Sequence, residues 1–264
     1  MILNEAGIVT RTVSSAALVL ALAACGGGGG GEDPPAFGDD PSEAPPELAA
    51  DAESALYTAT LSSLWFAEDY PQDFPDGEVG SAHLSHVGGA THNAAVSFWE
   101  PGETLGPGVE DIAETGRIEI FLAEEAAPAI ENGTADSAIA FREYIFSSPY
   151  TRDIGLPTEK SFEIEMRRPW PLLTLVTMLG PSPDWFVGVS GLALHEDGAW
   201  HDALTLELPL LDGGTKSGLS PVMGGPDVVP PEPVRPIAYD PATGTYGPTD
   251  TPQILARLVL ERVR

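Results

Sequence analysis

The chain has 264 residues, 40 of them acidic and only 12 basic, for a formal net charge of -28. Such a polyanion is repelled by nucleic-acid phosphate and by anionic lipid, which excludes nucleic-acid binding as a first reading. The 42% hydrophobic content suffices for one sizeable core, and a single cysteine rules out an intrachain disulfide.

In chain order, the first feature is the apolar run Ala16 to Ala24, preceded by a weakly polar stretch. It is too short for a helix crossing roughly 30 Å of hydrocarbon and suits the apolar centre of an export signal over residues 1–24. The run ends in Leu22-Ala23-Ala24-Cys25, which resembles the lipobox of bacterial lipoprotein precursors. That resemblance implies lipidation of Cys25 and a bacterial outer-membrane or cell-surface lipoprotein, held to the membrane through the lipid anchor only. The alternative is a soluble secreted protein with an ordinary signal peptide and an incidental cysteine. Residues 25–54, opening on the glycine run Gly26 to Gly31 and continuing acidic and proline-rich, are expected to form a solvated tether.

From Tyr57 the pattern changes to period 2, which predicts strands over Tyr57–Trp65, Asn93–Trp99, Ser161–Arg168, Trp185–Leu194, Ala203–Leu208 and Ile254–Val263, while the nearly continuous apolar run Leu172–Leu179 predicts a central strand. Val109 to Glu114 reads as a short helix stopped by Gly116, Arg117 to Ile130 is helix-prone, and Ser137 to Ile145 is expected to be a further helix. Val222 to Gly247, rich in Pro, Gly and Asp, reads as a long excursion anchored by Tyr239 and Tyr246. Together these elements predict one mostly-β domain over residues 55–264, an antiparallel β-sandwich with short bridging helices.

Two segments carry candidate chemistry. In Gly180-Pro181-Ser182-Pro183-Asp184-Trp185 two prolines fix the backbone just before an acid at the mouth of a strand. In Leu211-Asp212-Gly213-Gly214-Thr215-Lys216-Ser217-Gly218 an acid opens a glycine-rich turn. Should the two loops meet at one edge of the sheets, Asp184 and Asp212 form a hard oxygen site suited to Ca2+, because close like charges are costly without a cation between them. The alternative is an edge loop with two solvated aspartates.

These blocks, with Gly88-Gly89-Ala90-Thr91-His92-Asn93, Phe98-Trp99 and Gly106 to Gly116 upstream, resemble the spondin N-terminal domain family in the same order along the chain. With the lipobox, the resemblance points to a bacterial exported member. It implies a C2-like antiparallel sandwich that binds calcium at loops on one end, with Asp184 and Asp212 as metal ligands and a role in adhesion. The sequence departs from the family at Lys216, which stands where the family has a second acid, so affinity for Ca2+ is expected to be weakened. His86 at the family's proline position is a smaller departure.

Other constellations are weaker. His83, His86 and His92 offer three zinc ligands without a fourth. Ser182, His92 and Asp184 are the residue types of a hydrolytic triad, and Glu110 with Glu114 could pair, but nothing in the sequence orients either set. Trp99, Trp170, Trp185 and Trp200 could form a sugar platform or simply pack. The expected function is therefore a non-enzymatic, membrane-tethered binding or adhesion-like protein with an extracellular or envelope protein or glycan as partner. The rivals are an exported hydrolase using a loop-end serine or carboxylate, and a purely structural envelope component.

Overall fold

The computed structural model describes residues 48–69, 74–75, 82–147 and 158–264. The export signal, Cys25 and the tether up to residue 47 lie outside the described residues. In chain order come β1 (Ser54–Ser63), β2 (His83–Leu84) and β3 (Val87–His92), then α1 (Pro107–Thr115). A π-helical turn (Phe121–Ala126) runs into α2 (Ala127–Glu131), followed by β4 (Ala135–Phe141), β5 (Ile145–Phe146), β6 (Glu159–Arg167), β7 (Leu172–Gly180) and β8 (Trp185–Ala193). The remainder is β9 (His195–Glu196), β10 (Ala199–Trp200), β11 (Ala203–Pro209), β12 (Leu211–Asp212), β13 (Arg235–Asp240), β14 (Thr245–Pro248) and β15 (Ile254–Arg262). The fold is thus mostly β, with antiparallel sheets and short helices.

One sheet is four-stranded, in the order β11-β15-β1-β6. Its strands alternate as the sequence predicts: Tyr57, Ala59 and Leu61 of β1 are buried, and their neighbours in the strand are half-buried. Opposite them in register stand Ile164 of β6 and Leu258 and Leu260 of β15, so the apolar faces of three strands coincide. The Tyr57 hydroxyl ends this face by donating to the His201 carbonyl at 2.6 Å.

A larger sheet follows the order β14-β13-β12-β8-β7, with β7 pairing onward to β2 and to β3, and β3 to β4. β7 is buried along almost its whole length, because both faces of this sheet are covered. Leu173, Leu175 and Leu179 join Trp185, Val187 and Val189 in one core with the four-stranded sheet. Val176, Phe186 and Leu211 point the other way and pack with Val109, Ile112 and Phe121 of the helical segment. Close approach there and within the sheet depends on glycine. A Cβ at Gly88 would stand 2.8 Å from Ile112 Cδ1, and one at Gly89 would run into the Thr174 carbonyl.

Three sequence expectations are corrected. Asn93 to Trp99 is irregular rather than a strand; the strand is β3, just upstream, and Asn93 Oδ1 ends it by accepting the Ala95 N–H at 2.9 Å. Ser137 to Ile145 is not a helix: β4 pairs with β3 from Val87↔Phe141 to His92↔Ala135, and this pairing overrides the helix preference of its alanines. The Val222–Gly247 excursion contains the β13–β14 hairpin, whose turn closes through Gly244 N–H to Asp240 O at 2.8 Å with Gly244 at φ +72°. Tyr239 and Tyr246 face each other in that hairpin, and Tyr246 packs on Trp185 with ring centroids 4.6 Å apart.

Candidate functional site

Asp184 closes the turn between β7 and β8, and Asp212 ends β12. Because β12 pairs with β8, Asp212 stands opposite Trp185 in register, and Gly213 N–H donates to the Asp184 carbonyl at 3.1 Å. The two acids, distant in sequence, therefore meet at one end of the large sheet. The Ser182 hydroxyl accepts the Trp185 N–H at 3.0 Å and fixes the turn before Asp184. On the other side Gly214, at φ +73°, donates its N–H to Asp212 Oδ1 at 2.8 Å.

The Asp184 side chain is fully buried. Its Oδ2 accepts three hydrogen bonds, from Thr215 N–H at 2.7 Å, Lys216 N–H at 2.9 Å and the Thr215 hydroxyl at 3.2 Å. Its Oδ1 is buried without a partner. Burial above all, with the nearby Asp212 charge, raises the carboxyl from its ordinary 3.8 to about 6 against the opposing effect of the donors on Oδ2. Asp212 is better compensated, since Arg235 reaches its Oδ2 at 3.3 Å while also pairing with Glu232 at 2.8 Å.

Lys216 neither stands between the two aspartates nor extends into solvent. Its backbone serves Asp184, and its ammonium pairs with Asp227 and, at 3.5 Å, with Glu114 of α1. Glu110, one helical turn earlier, has its carboxyl pushed up by partial burial and by the Glu114 charge. Glu114, Asp227 and Arg235 were not singled out as parts of this tip by sequence reasoning; only Glu114, inside the Gly106–Gly116 block of the resemblance, carried a signal.

For a divalent cation, the unpartnered Asp184 Oδ1 is the feature that fits. Against it, both Asp212 oxygens already hold hydrogen bonds. Among the described residues no cluster of three or more His, Cys, Asp and Glu is arranged to hold a metal ion. The other constellations do not assemble. His92 lies at the Leu172 end of β7, held by Thr174 Oγ1 at 2.8 Å and the Asn93 carbonyl at 3.0 Å, whereas Ser182 and Asp184 follow the opposite end of that strand. The same separation removes His92 from His83 and His86, which both pack on Tyr144. Trp99, Trp185 and Trp200 are buried, so the tryptophans form no exposed platform.

The mostly-β chain carries a spondin-type domain by its sequence match: residues 55–247 match the Spondin_N family model, and the chain belongs to that family. It is similar to Spondin-1 of Gallus gallus, 29% identical over 80% of this chain and 26% of the relative. It is also similar to Spondin-2 of Homo sapiens, 30% identical over 63% of this chain and 47% of the relative. Spondin-1 of Homo sapiens is 28% identical over 80% of this chain and 25% of the relative. The chain thus spans between a quarter and a half of the length of these relatives.

These matches correct the expectation of a bacterial exported or lipoprotein member, placed at an outer membrane or cell surface or in an envelope through Cys25: the homologues are vertebrate spondins. The anchor rested on the short run Ala16 to Cys25, which lies outside the family match that begins at residue 55. No helix among the described residues is long and apolar enough to cross a membrane.

Proposed function

We propose that the chain is a non-enzymatic, adhesion-like binding module that presents the loop end carrying Asp184 and Asp212 to a protein or glycan partner. In this reading the two sheets form a C2-like antiparallel sandwich, and family membership over residues 55–247 is the observation that carries it. The shared apolar core of the two sheets supports the sandwich, and the separation of His92 from Ser182 argues against the hydrolase. Ca2+ is the cofactor of the tip, approached through Asp184 Oδ1 and held weakly because Arg235 and Lys216 already supply positive charge.

The full chain immobilised on a surface should retain a protein or glycan from panels of each without turning over ester, peptide or glycoside substrates. Turnover abolished by Ser182→Ala would overturn the non-enzymatic reading. For the metal, millimolar calcium should raise the melting temperature slightly, and Lys216→Asp should enlarge that shift, since a ligand held only by the native state stabilises it. No shift in either protein would remove calcium from the proposal and leave the binding reading in place.

A further inference from the structure

Asn132 and Gly133 are the only Asn-Gly pair in the sequence, and they end α2. Both are exposed, and a Cβ built on Gly133 would meet nothing within 4 Å. Asn132 keeps helical angles, φ -82° and ψ -6°, and Gly133 turns left-handed at φ +74°. Gly133 N–H then donates to the Ile130 carbonyl at 3.0 Å and Thr134 N–H to the Ala129 carbonyl at 2.9 Å, the pair of bonds that commonly closes a helix on a glycine.

The turn is also a junction. The Gly133 carbonyl accepts the Trp170 indole N–H at 2.9 Å and the Asn93 side-chain amide at 3.5 Å. The Thr134 carbonyl accepts the Asn93 N–H at 2.9 Å. These bonds join the end of α2 to the end of β3 and to the connection between β6 and β7.

Among the described residues the Asn132 side chain is held by no hydrogen bond, whereas Asn93 is held at both ends of its amide and precedes a residue with a Cβ. A free amide followed by glycine is open to attack by the next backbone nitrogen. Hydroxide removes the Gly133 N–H proton, the nitrogen bonds to Asn132 Cγ, and Nδ2 leaves as ammonia with a proton from water, which returns the hydroxide. Water then opens the five-membered imide. Cleavage of the new bond to Cγ gives aspartate. Cleavage of the old bond to the backbone carbonyl carbon gives isoaspartate, whose main chain runs through Cβ and Cγ. That route is one carbon longer, by about 1.5 Å, and a hydrogen bond of 2.9 Å does not survive such a shift.

We propose that Asn132 is a modification site, deamidated by water in the folded protein, and that its isoaspartyl product releases the Gly133 carbonyl from Trp170. Attack requires the Gly133 nitrogen to leave the Ile130 carbonyl and Asn132 to rotate out of its helical ψ, so the turn opens first. Losing its two closing bonds slows the reaction roughly ten- to hundredfold relative to the unfolded chain. Access through global unfolding alone would slow it by more than about a thousandfold. The site is distinct from the loop tip and needs neither calcium nor Asp184.

The test ages the full chain in mildly alkaline buffer, native and in urea, and maps its peptides by a method that separates aspartate from isoaspartate. Both products should form at position 132 and neither at Asn93, with the native rate roughly ten- to hundredfold below the urea rate. No isoaspartate at 132, or a native rate more than about a thousandfold below that in urea, would overturn the site. The deamidated fraction, enriched by its added negative charge, should melt below fresh protein and show altered tryptophan fluorescence. Asn132→Asp adds the same charge without the extra carbon and should melt as the unmodified chain does. Equal melting of the aged fraction and Asn132→Asp would overturn the release of Gly133. In Trp170→Phe, ageing should leave the fluorescence unchanged; a change of full size would remove Trp170 from the junction.

Discussion

Replacing Asp184 with asparagine should stabilise the protein at neutral pH in metal-free buffer. The native carboxyl is fully buried and its pKa is raised from 3.8 to about 6, so the folded state holds the proton more tightly than the unfolded chain does. For an acid raised in this way the stability is fully present below about pH 4 and is lost as pH rises through about 6. A rise of about two units at about 1.4 kcal/mol per unit amounts to about 3 kcal/mol lost across that window. Asparagine can still accept the Thr215 and Lys216 N–H bonds through its carbonyl and carries no charge to desolvate. Urea denaturation of both proteins between pH 4 and pH 8 in EDTA should therefore show the variant gaining on the wild type by about 2–4 kcal/mol as pH rises. The other acids titrate in both proteins, so the difference isolates position 184. Parallel curves across the whole range would refute the argument, and excess calcium should shrink the difference if the tip takes the ion.

Gly116 caps α1 in the left-handed region at φ +72°, donating to the Ile112 carbonyl, and a Cβ there would stand 2.6 Å from Ser85 Cβ. Gly116→Ala should cost more than about 1 kcal/mol in thermal or urea unfolding, and an unchanged midpoint would count against this strain. Burial holds His92 below its ordinary 6.5, opposed by hydrogen bonds to the Asn93 and Val96 backbone. Its NMR titration should fall below 6.5, with the stability of the neutral ring lost as pH drops through that lowered value; a midpoint at or above 6.5 would show that the ring is not desolvated.

The strands visible in the sequence were of two kinds, those alternating an apolar with a polar face and those, such as β7, with a near-continuous apolar run. In β1 and β6 the period-2 pattern is uninterrupted, because each lies with one side on the core and the other facing water. β3 and β4 were missed for a common reason. β3 carries Gly88 and Gly89, poor strand formers that are needed where the Ile112 side chain and the Thr174 carbonyl come close. β4 carries Ala138 and Ala140, which read as helix until paired with Ala90 and Gly88. Each owes its conformation to neighbours remote in sequence. At the tip, Asp184 and Asp212 were legible because each sits on a short motif beside a strand. Arg235 and Asp227 were not, since they reach it from a Pro/Gly-rich stretch without periodicity.

The distribution of compensating charge at the loop tip limits what an arriving cation gains there. At the loop tip Glu114 and Asp227 share Lys216, and Asp212 and Glu232 share Arg235. Lys216 is one of two lysines in the chain, so a scarce positive charge is placed where acids converge. Asp184 has no cation of its own there, and it is held instead by N–H and hydroxyl donors on one oxygen. A divalent ion arriving at the tip must compete with Arg235 for Asp212 and gains one free buried oxygen, which limits its affinity.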